Sequence, residues 1–242
     1  MTKWAMVIDL DKCVACQACS IACRLENNTP VVSSAEAERG RAIRWNDVFP
    51  NPINPTEEQG KYPHVRTRYL PRPCMHCENP PCVKVCPVQG TLQDEDGLIR
   101  QNYARCIGCR FCTVACPYGA RYFNWHNPEW SPEMARCLNP DRVSGQDSLE
   151  GPAVRIKGVV EKCTFCIQRL YAAQAQAAAE GRAFRPDEYV PACVQTCTAK
   201  ARYFGDLDDP ESTVAMLSQS QRAFRLLEDV GTRPKVIYLW EG

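Results

Sequence analysis

The sequence predicts an α+β fold built from two related modules, and three observations predict it. Sixteen of the 17 cysteines fall into four closely spaced quartets. The tetrapeptide Ala-Arg-Tyr-Phe occurs twice at one offset, at 120–123 after Cys116 and at 201–204 after Cys197. Short strand-like runs separate the quartets, with one long helical run among them. An apolar content of 45% and a charged content of 24% in 242 residues belong to a packed globular protein. Twenty-nine basic residues against 28 acidic ones give no footprint for nucleic acid. No window approaches the roughly 18 apolar residues that a bilayer span needs.

In chain order, Trp4 to Leu10 reads as a strand leading into the first quartet. Cys13, Cys16, Cys19 and Cys23 have the spacing C-x2-C-x2-C-x3-C. Residues 29–60, rich in Pro, Asn and Glu, read as an extended surface connection. His64 to Leu70 alternates as a strand does. The second quartet is Cys74, Cys77, Cys82 and Cys86, followed by Pro87; a polar turn at 93–97 and a short strand at Leu98-Ile99 come next. The third quartet, Cys106, Cys109, Cys112 and Cys116, repeats the first spacing and ends in Pro117. Residues 126–154 carry four prolines and read as a long loop of the functional or interfacial kind. The fourth quartet, Cys163, Cys166, Cys193 and Cys197, is split by an alanine-rich helix over 164–180. Asp209-Pro210-Glu211 reads as the start of a helix that Leu217, Phe224 and Leu227 continue to Gly231. Val236 to Trp240 reads as a closing strand.

The C-x2-C-x2-C-x3-C-P run is the bacterial ferredoxin spacing for [4Fe–4S] ligation. A tight loop presents three thiolates to one cubane, and the fourth, on the helix that follows, ligates the other cluster of a pair. Zinc sites more often join two well-separated C-x2-C knuckles. A disulfide framework fits poorly, because Met1 to Asp9 reaches an acid too early for a signal peptide and no Arg-Arg pair offers a twin-arginine signal. The second and third quartets, 20 positions apart, are spaced to share two clusters and exchange their fourth ligands. The first and fourth then share two more. Residues 1–60 and 155–242 thus form one discontinuous ferredoxin-like module, and residues 61–154 an inserted one. Cys137 is left over.

Beyond these spacings the chain resembles the iron–sulfur electron-transfer subunits of the dimethyl sulfoxide and polysulfide reductase superfamily of molybdopterin oxidoreductases. The resemblance rests on Met6-Val-Ile-Asp-Leu-Asp-Lys-Cys13, Cys77-Glu-Asn-Pro-Pro-Cys82, Glu161-Lys-Cys-Thr-Phe-Cys166, Pro191-Ala-Cys193 and Phe204-Gly-Asp-Leu-Asp-Asp-Pro-Glu-Ser212. It implies four [4Fe–4S] clusters. Their ligands would be Cys13, Cys16, Cys19 and Cys197; Cys23, Cys163, Cys166 and Cys193; Cys74, Cys77, Cys82 and Cys116; and Cys86, Cys106, Cys109 and Cys112. Cys109 stands where some relatives have tryptophan and a three-iron cluster. Thr198 departs from the proline common after the last cysteine. The loop from Phe123 to Asp141 resembles subunits of alternative complex III and menaquinone reductases; a sulfite dehydrogenase subunit fits equally.

The resemblance implies a relay without catalysis of its own. One partner is a molybdenum or tungsten pterin catalytic subunit, which faces the cluster of the first quartet. The other is a membrane anchor that handles quinone. The chain is then peripheral to the cytoplasmic membrane; the missing leader favours the cytoplasmic side, and export with a signal-bearing partner gives the periplasmic one. A soluble polyferredoxin carrier and a zinc-rich scaffold are the competing readings. His64, His76 and His126 form no nucleophile or hydrolase motif. His76, Arg110 and Lys162 neighbour ligands and could tune clusters by hydrogen bond or charge, though a structural or surface role is equally ordinary. Each oxidised cubane with its thiolates carries about −2, so the formal +1 becomes about −7 with four loaded.

Overall fold

The computed structural model describes residues 2–51, 68–139 and 155–240. Strand β1 (Trp4–Asp9) is buried at every position, which is why it reads as an unbroken apolar run rather than an alternating one. Helix α1 (Ala18–Asn27) follows the first cysteine loop, and α2 (Ser34–Glu38) is capped by the Ser33 hydroxyl, which accepts from the Glu36 amide. Strands β2 (Asp47–Asn51) and β3 (Arg68–Arg72) pair antiparallel. Next come α3 (Pro81–Lys84), the hairpin strands β4 (Thr91–Gln93) and β5 (Ile99–Gln101), α4 (Phe111–Ala115), β6 (Tyr122–Phe123) and α5 (Pro132–Ala135). The last part holds β7 (Val160–Glu161), α6 (Ile167–Ala179), α7 (Ala192–Gln195), β8 (Arg202–Asp206), α8 (Thr213–Ser218), β9 (Ala223–Phe224) and β10 (Val236–Leu239). No helix among the described residues is long and apolar enough to cross a membrane.

The main sheet has the order β8-β1-β10-β9, with β1 parallel to β10 and antiparallel to β8. Because side chains alternate along a strand, the sheet builds two different cores. Ala5, Val7, Ile237 and Leu239 point to a small apolar layer closed by Val214 and Leu217 of α8. Trp4, Met6, Ile8, Val236 and Tyr238 point the other way, into a larger core that also holds Cys23, Cys74, Cys77, Cys163 and Cys193. Trp4 anchors that core, stacked on Phe204 at 5.4 Å and edge-on to Tyr189 at 4.8 Å. These five cysteines therefore lie on one face of the sheet, inside the protein.

Two sets of backbone links fasten the second and third cysteine loops to the rest. Glu78 and Asn79 amides donate to the Arg233 and Thr232 carbonyls, and Lys235 donates to Met75, all at 2.9–3.0 Å. Strand β6 pairs with β7, extended by Asn124 donating to Val159 and Gly158 donating to Asn124. Gly108 is packed against that second link. A Cβ there would lie 2.2 Å from the Gly158 carbonyl oxygen and 3.2 Å from Phe123.

Several expectations need correction. Residues 29–51 are not an extended surface connection: they contain α2 and β2, and Ile43 and Trp45 are each 3% exposed. Trp45 supplies the reason, donating from Nε1 to the buried Glu161 carboxylate at 3.0 Å. The helix begun at Asp209 does not reach Gly231. Asp209-Pro210-Glu211 makes a turn, Ser212 caps α8 through the Ala215 amide at 3.0 Å, and the helix stops at Ser218. Phe224 belongs to β9, where tertiary packing on Tyr238 at 5.8 Å overrides the helical spacing. Residues 126–139 include the short helix α5, capped by Ser131. The strands at 4–10 and 236–240, the polar turn and short strand at 93–99 and the helix at 164–180 lie where expected, with α6 starting at Ile167; strand β4, which pairs with β5 across that turn, is an addition. Residues 52–67, including most of the strand read at 64–70, and 140–154 fall outside the described residues.

Trp4→Ala should cost about 3–5 kcal/mol through the cavity it opens, seen as a lowered unfolding midpoint. Gly40 and Gly108 share a left-handed φ of about +70°, but a Cβ at Gly40 would meet nothing within 4 Å. Gly40→Ala should therefore show backbone strain alone, about 1–2 kcal/mol. Gly108→Ala should cost about 1–3 kcal/mol more from overpacking, and equal midpoints for the two variants would refute this account.

Candidate metal centres

One backbone device recurs in all four cysteine loops. The residue before the second cysteine of each quartet has a left-handed φ: Ala15 at 53°, His76 at 42°, Gly108 at 70° and Phe165 at 57°. Only one of these is glycine, so three side chains accept a conformation that costs about 1–2 kcal/mol. Such turns aim successive amides into a concavity suited to an anion or an iron–sulfur centre. A second device follows the last cysteine of three quartets. Gln89, Gly119 and Lys200, each three residues on, are also left-handed. The next amide then turns back on the sulfur: Gly90 donates to Cys86 Sγ at 3.1 Å and Ala201 to Cys197 Sγ at 3.3 Å, and the Ala120 amide bonds Cys116. After Cys23 the chain stays helical, and the side-chain amide of Asn27 takes over, reaching Cys23 Sγ at 3.8 Å and Cys166 Sγ at 3.7 Å.

The sulfurs gather across quartets, not only within them. Cys13, Cys16, Cys19 and Cys197 line one cavity together with Ile8 and Val48. Burial pushes the Cys23 thiol well up, and so do the neighbouring Cys163, Cys166 and Cys193. Burial with Cys74, Cys82 and Cys116 nearby takes Cys77 to about 12. Burial raises Cys112, whose neighbours are Cys82 and Cys106. Gly90 sits between Cys86, to which it donates, and Cys106, whose Cα would lie 3.5 Å from a Cβ at that position. Cys109 and Cys16 are exposed, and Cys137 is exposed in the turn after α5. Thr198 puts its hydroxyl 3.5 Å from Cys16 Sγ and holds that thiol below its ordinary range. A proline there would have no hydroxyl to offer.

Neutral thiols raised this far cannot ionise without a compensating cation. Thiolate binding to iron supplies one, so the buried sulfurs, the amides aimed at them and the apolar walls suit iron–sulfur cores. Among the described residues, no three Cys, His, Asp or Glu side chains converge as a single-ion site requires. A cubane instead takes one thiolate at each of four separate iron corners.

Three buried basic side chains stand between these groups, and two of them are not apparent from the quartets. Arg202 is 5% exposed, donates to Cys19 Sγ at 3.5 Å and lies beside Cys193. Arg121, 6% exposed, lies beside Cys82 and Cys112. Both belong to the repeated Ala-Arg-Tyr-Phe, whose arginine was the available signal. Lys162 is fully buried rather than a surface cation, with Nζ donating to the Cys163 carbonyl at 2.8 Å and to that of Ile99. His76, also fully buried, stacks on Phe165 at 3.9 Å. Its Nδ1 accepts from the Ile99 amide at 3.1 Å, which leaves Nε2 to donate to the Cys163 carbonyl at 3.0 Å. Burial drives its pKa well below the ordinary value, in keeping with that neutral tautomer. Arg110 is exposed over the Phe123 and Trp125 rings, and His126 is exposed on Glu36. His64 falls outside the described residues.

Residues 65–144 match the model of a 4Fe-4S dicluster domain. Over nearly the whole chain the sequence is 46% identical to the menaquinone reductase iron-sulfur cluster-binding subunit of Nitratidesulfovibrio vulgaris, covering 98% of this chain and 88% of that one. It is 35% identical to a tetrathionate reductase subunit of Salmonella typhimurium, covering 98% and 72%, and 30% identical to a polysulfide reductase chain of Wolinella succinogenes, covering 97% and 92%. Those likenesses run through both the dicluster stretch and the segments that flank it, so the protein belongs to the iron–sulfur electron-transfer subunits of the dimethyl sulfoxide and polysulfide reductase superfamily.

Proposed function

We propose that this chain is a relay holding four [4Fe–4S] clusters in two ferredoxin-like modules, residues 1–60 with 155–242 and residues 61–154. The ligand sets are Cys13, Cys16, Cys19 and Cys197; Cys23, Cys163, Cys166 and Cys193; Cys74, Cys77, Cys82 and Cys116; and Cys86, Cys106, Cys109 and Cys112. The observation that carries the reading is the company of Cys23, whose buried thiol neighbours Cys163, Cys166 and Cys193 of the fourth quartet, with the Asn27 amide reaching both Cys23 and Cys166. The dicluster match over 65–144 supports an inserted pair formed by the second and third quartets. Each cluster, when bound, accepts and passes one electron by a change of iron valence.

Three contacts support an order for the sets. Arg202 joins the first to the second through Cys19 and Cys193. Cys163 and Cys74 are neighbours, with His76 and Phe165 stacked beside them, which joins the second to the third. Arg121 joins the third to the fourth through Cys82 and Cys112. The two ends of this series carry the exposed cysteines, Cys16 and Cys109. Val14, Ile21 and Leu25 are exposed around the first end, and Ile107, Phe111 and Val114 around the other. Partners would cover both: a molybdopterin catalytic subunit at the Cys16 end and a membrane-anchored, quinone-linked subunit at the Cys109 end. The chain is then peripheral to the membrane. The likeness to a menaquinone reductase subunit supports the quinone link.

The test is iron and sulfide analysis with EPR on the anaerobically purified complex and its Cys23→Ser variant. About 16 irons per chain should be found, and Cys23→Ser should alter the signal of the cluster bound by Cys163, Cys166 and Cys193. A wild-type count of 12, stoichiometric zinc, or damage confined to the Cys13 and Cys19 cluster would overturn the reading.

A further inference from the structure

Arg121 and Arg202 occupy the same place in the two halves of the protein. Each is the second residue of Ala-Arg-Tyr-Phe, five positions after the last cysteine of its quartet. Each sits between two third cysteines, Cys82 and Cys112 for Arg121, Cys19 and Cys193 for Arg202. Arginine stays charged under all ordinary conditions, and burying its charge is costly unless an anion compensates. Neither side chain has a carboxylate among its hydrogen-bond partners in the described residues. Arg121 donates to Thr91 Oγ1 at 3.1 Å and to Gln101 Oε1 at 3.0 Å, and its Nη2 is buried with no partner there. Arg202 donates to Asn46 Oδ1 at 2.7 Å and to Met6 Sδ at 3.6 Å.

The contrast with Arg155 is informative. That arginine is equally buried but pairs with the Glu161 carboxylate at 2.7 Å, so its charge is already answered. Arg121 and Arg202 keep theirs for the sulfurs.

We infer that Arg121 and Arg202 are potential-setting residues, each placing one uncompensated positive charge between two clusters and thereby raising the reduction potentials of both. The inference rests on the four-cluster reading above. An added electron makes a cluster more negative, so a cation fixed between two of them stabilises the reduced form of each. It also offsets the repulsion that the first electron would exert on the second. The neutral oxygens of Asn46 and Gln101 belong to this arrangement: they hold the guanidinium in place and leave its charge available.

Anaerobic redox titration of the intact complex, followed by EPR, tests this. Arg202→Gln should lower the reduction equilibrium constants of the two clusters it flanks at least tenfold, about 59 mV for a one-electron couple, and leave the other two unmoved. Arg121→Gln should do the reverse, and Arg→Lys at either site should restore most of the shift. Asn46→Asp and Gln101→Glu keep both arginines and the shape of each site but answer the charge with a carboxylate. They should lower the same pairs of potentials, which keeps the test open if a glutamine variant loses iron. Unchanged potentials in iron-replete Asn46→Asp and Gln101→Glu, or Lys variants shifted as far as Gln variants, would overturn the inference. A wild-type complex with fewer than four clusters would instead overturn the reading on which it rests.

Discussion

Burying sulfur is the constraint on which the structure depends. A thiol in an apolar interior stays protonated, and a thiolate there needs donors and a cation. Eight of the cysteines in the quartets are buried. The backbone answers with the same two turns repeated from loop to loop, and it accepts left-handed strain at Ala15, His76 and Phe165 to do so. Strain of this kind persists only where the surroundings over-determine it. Here the surroundings are the central sheet on one side and the packed helices on the other, with α1 against α7 and α3 against α4.

The centre of the molecule is polar in an ordered way. Lys162 and His76 converge on the Ile99 backbone and the Cys163 carbonyl, between the β4–β5 hairpin and the fourth cysteine loop. Every one of these contacts is a specific donor–acceptor pair, so the junction fixes how the hairpin and the fourth cysteine loop sit as well as holding them together. Trp45, Arg155 and Glu161 form a comparable group at the edge, where Arg155 also donates to the Asn27 and Asn28 carbonyls.

Much of this was legible in the sequence, for a physical reason. Ligands of one centre on a tight loop must be close in sequence, so the quartets stand out, and strands buried on both faces leave apolar runs such as Trp4–Asp9. What was not legible depends on distant partners. Nothing local says that Trp45 will find Glu161, that Phe224 will pair beside Tyr238 in a strand, or that Asn27 will reach two sulfurs. Lys162 shows the limit most clearly. A lysine beside a cysteine is ordinarily a solvated side chain, and only the carbonyls of Ile99 and Cys163, 63 and one positions away, make its burial possible.

The sheet order has a consequence for how the protein is made. Strand β1 has no neighbours until β8 and β10 exist, because its partners are Arg202–Asp206 and Val236–Leu239. At about 5–20 residues per second on a ribosome, the first strand waits on the order of 10–50 s for its sheet. Throughout that interval the first cysteine loop lacks the segments against which it packs. Completion of this sheet therefore waits for β10, and the thiols packed against it must be kept reduced until that strand has been made. An oxidising moment during synthesis would harm it more than the same moment afterwards.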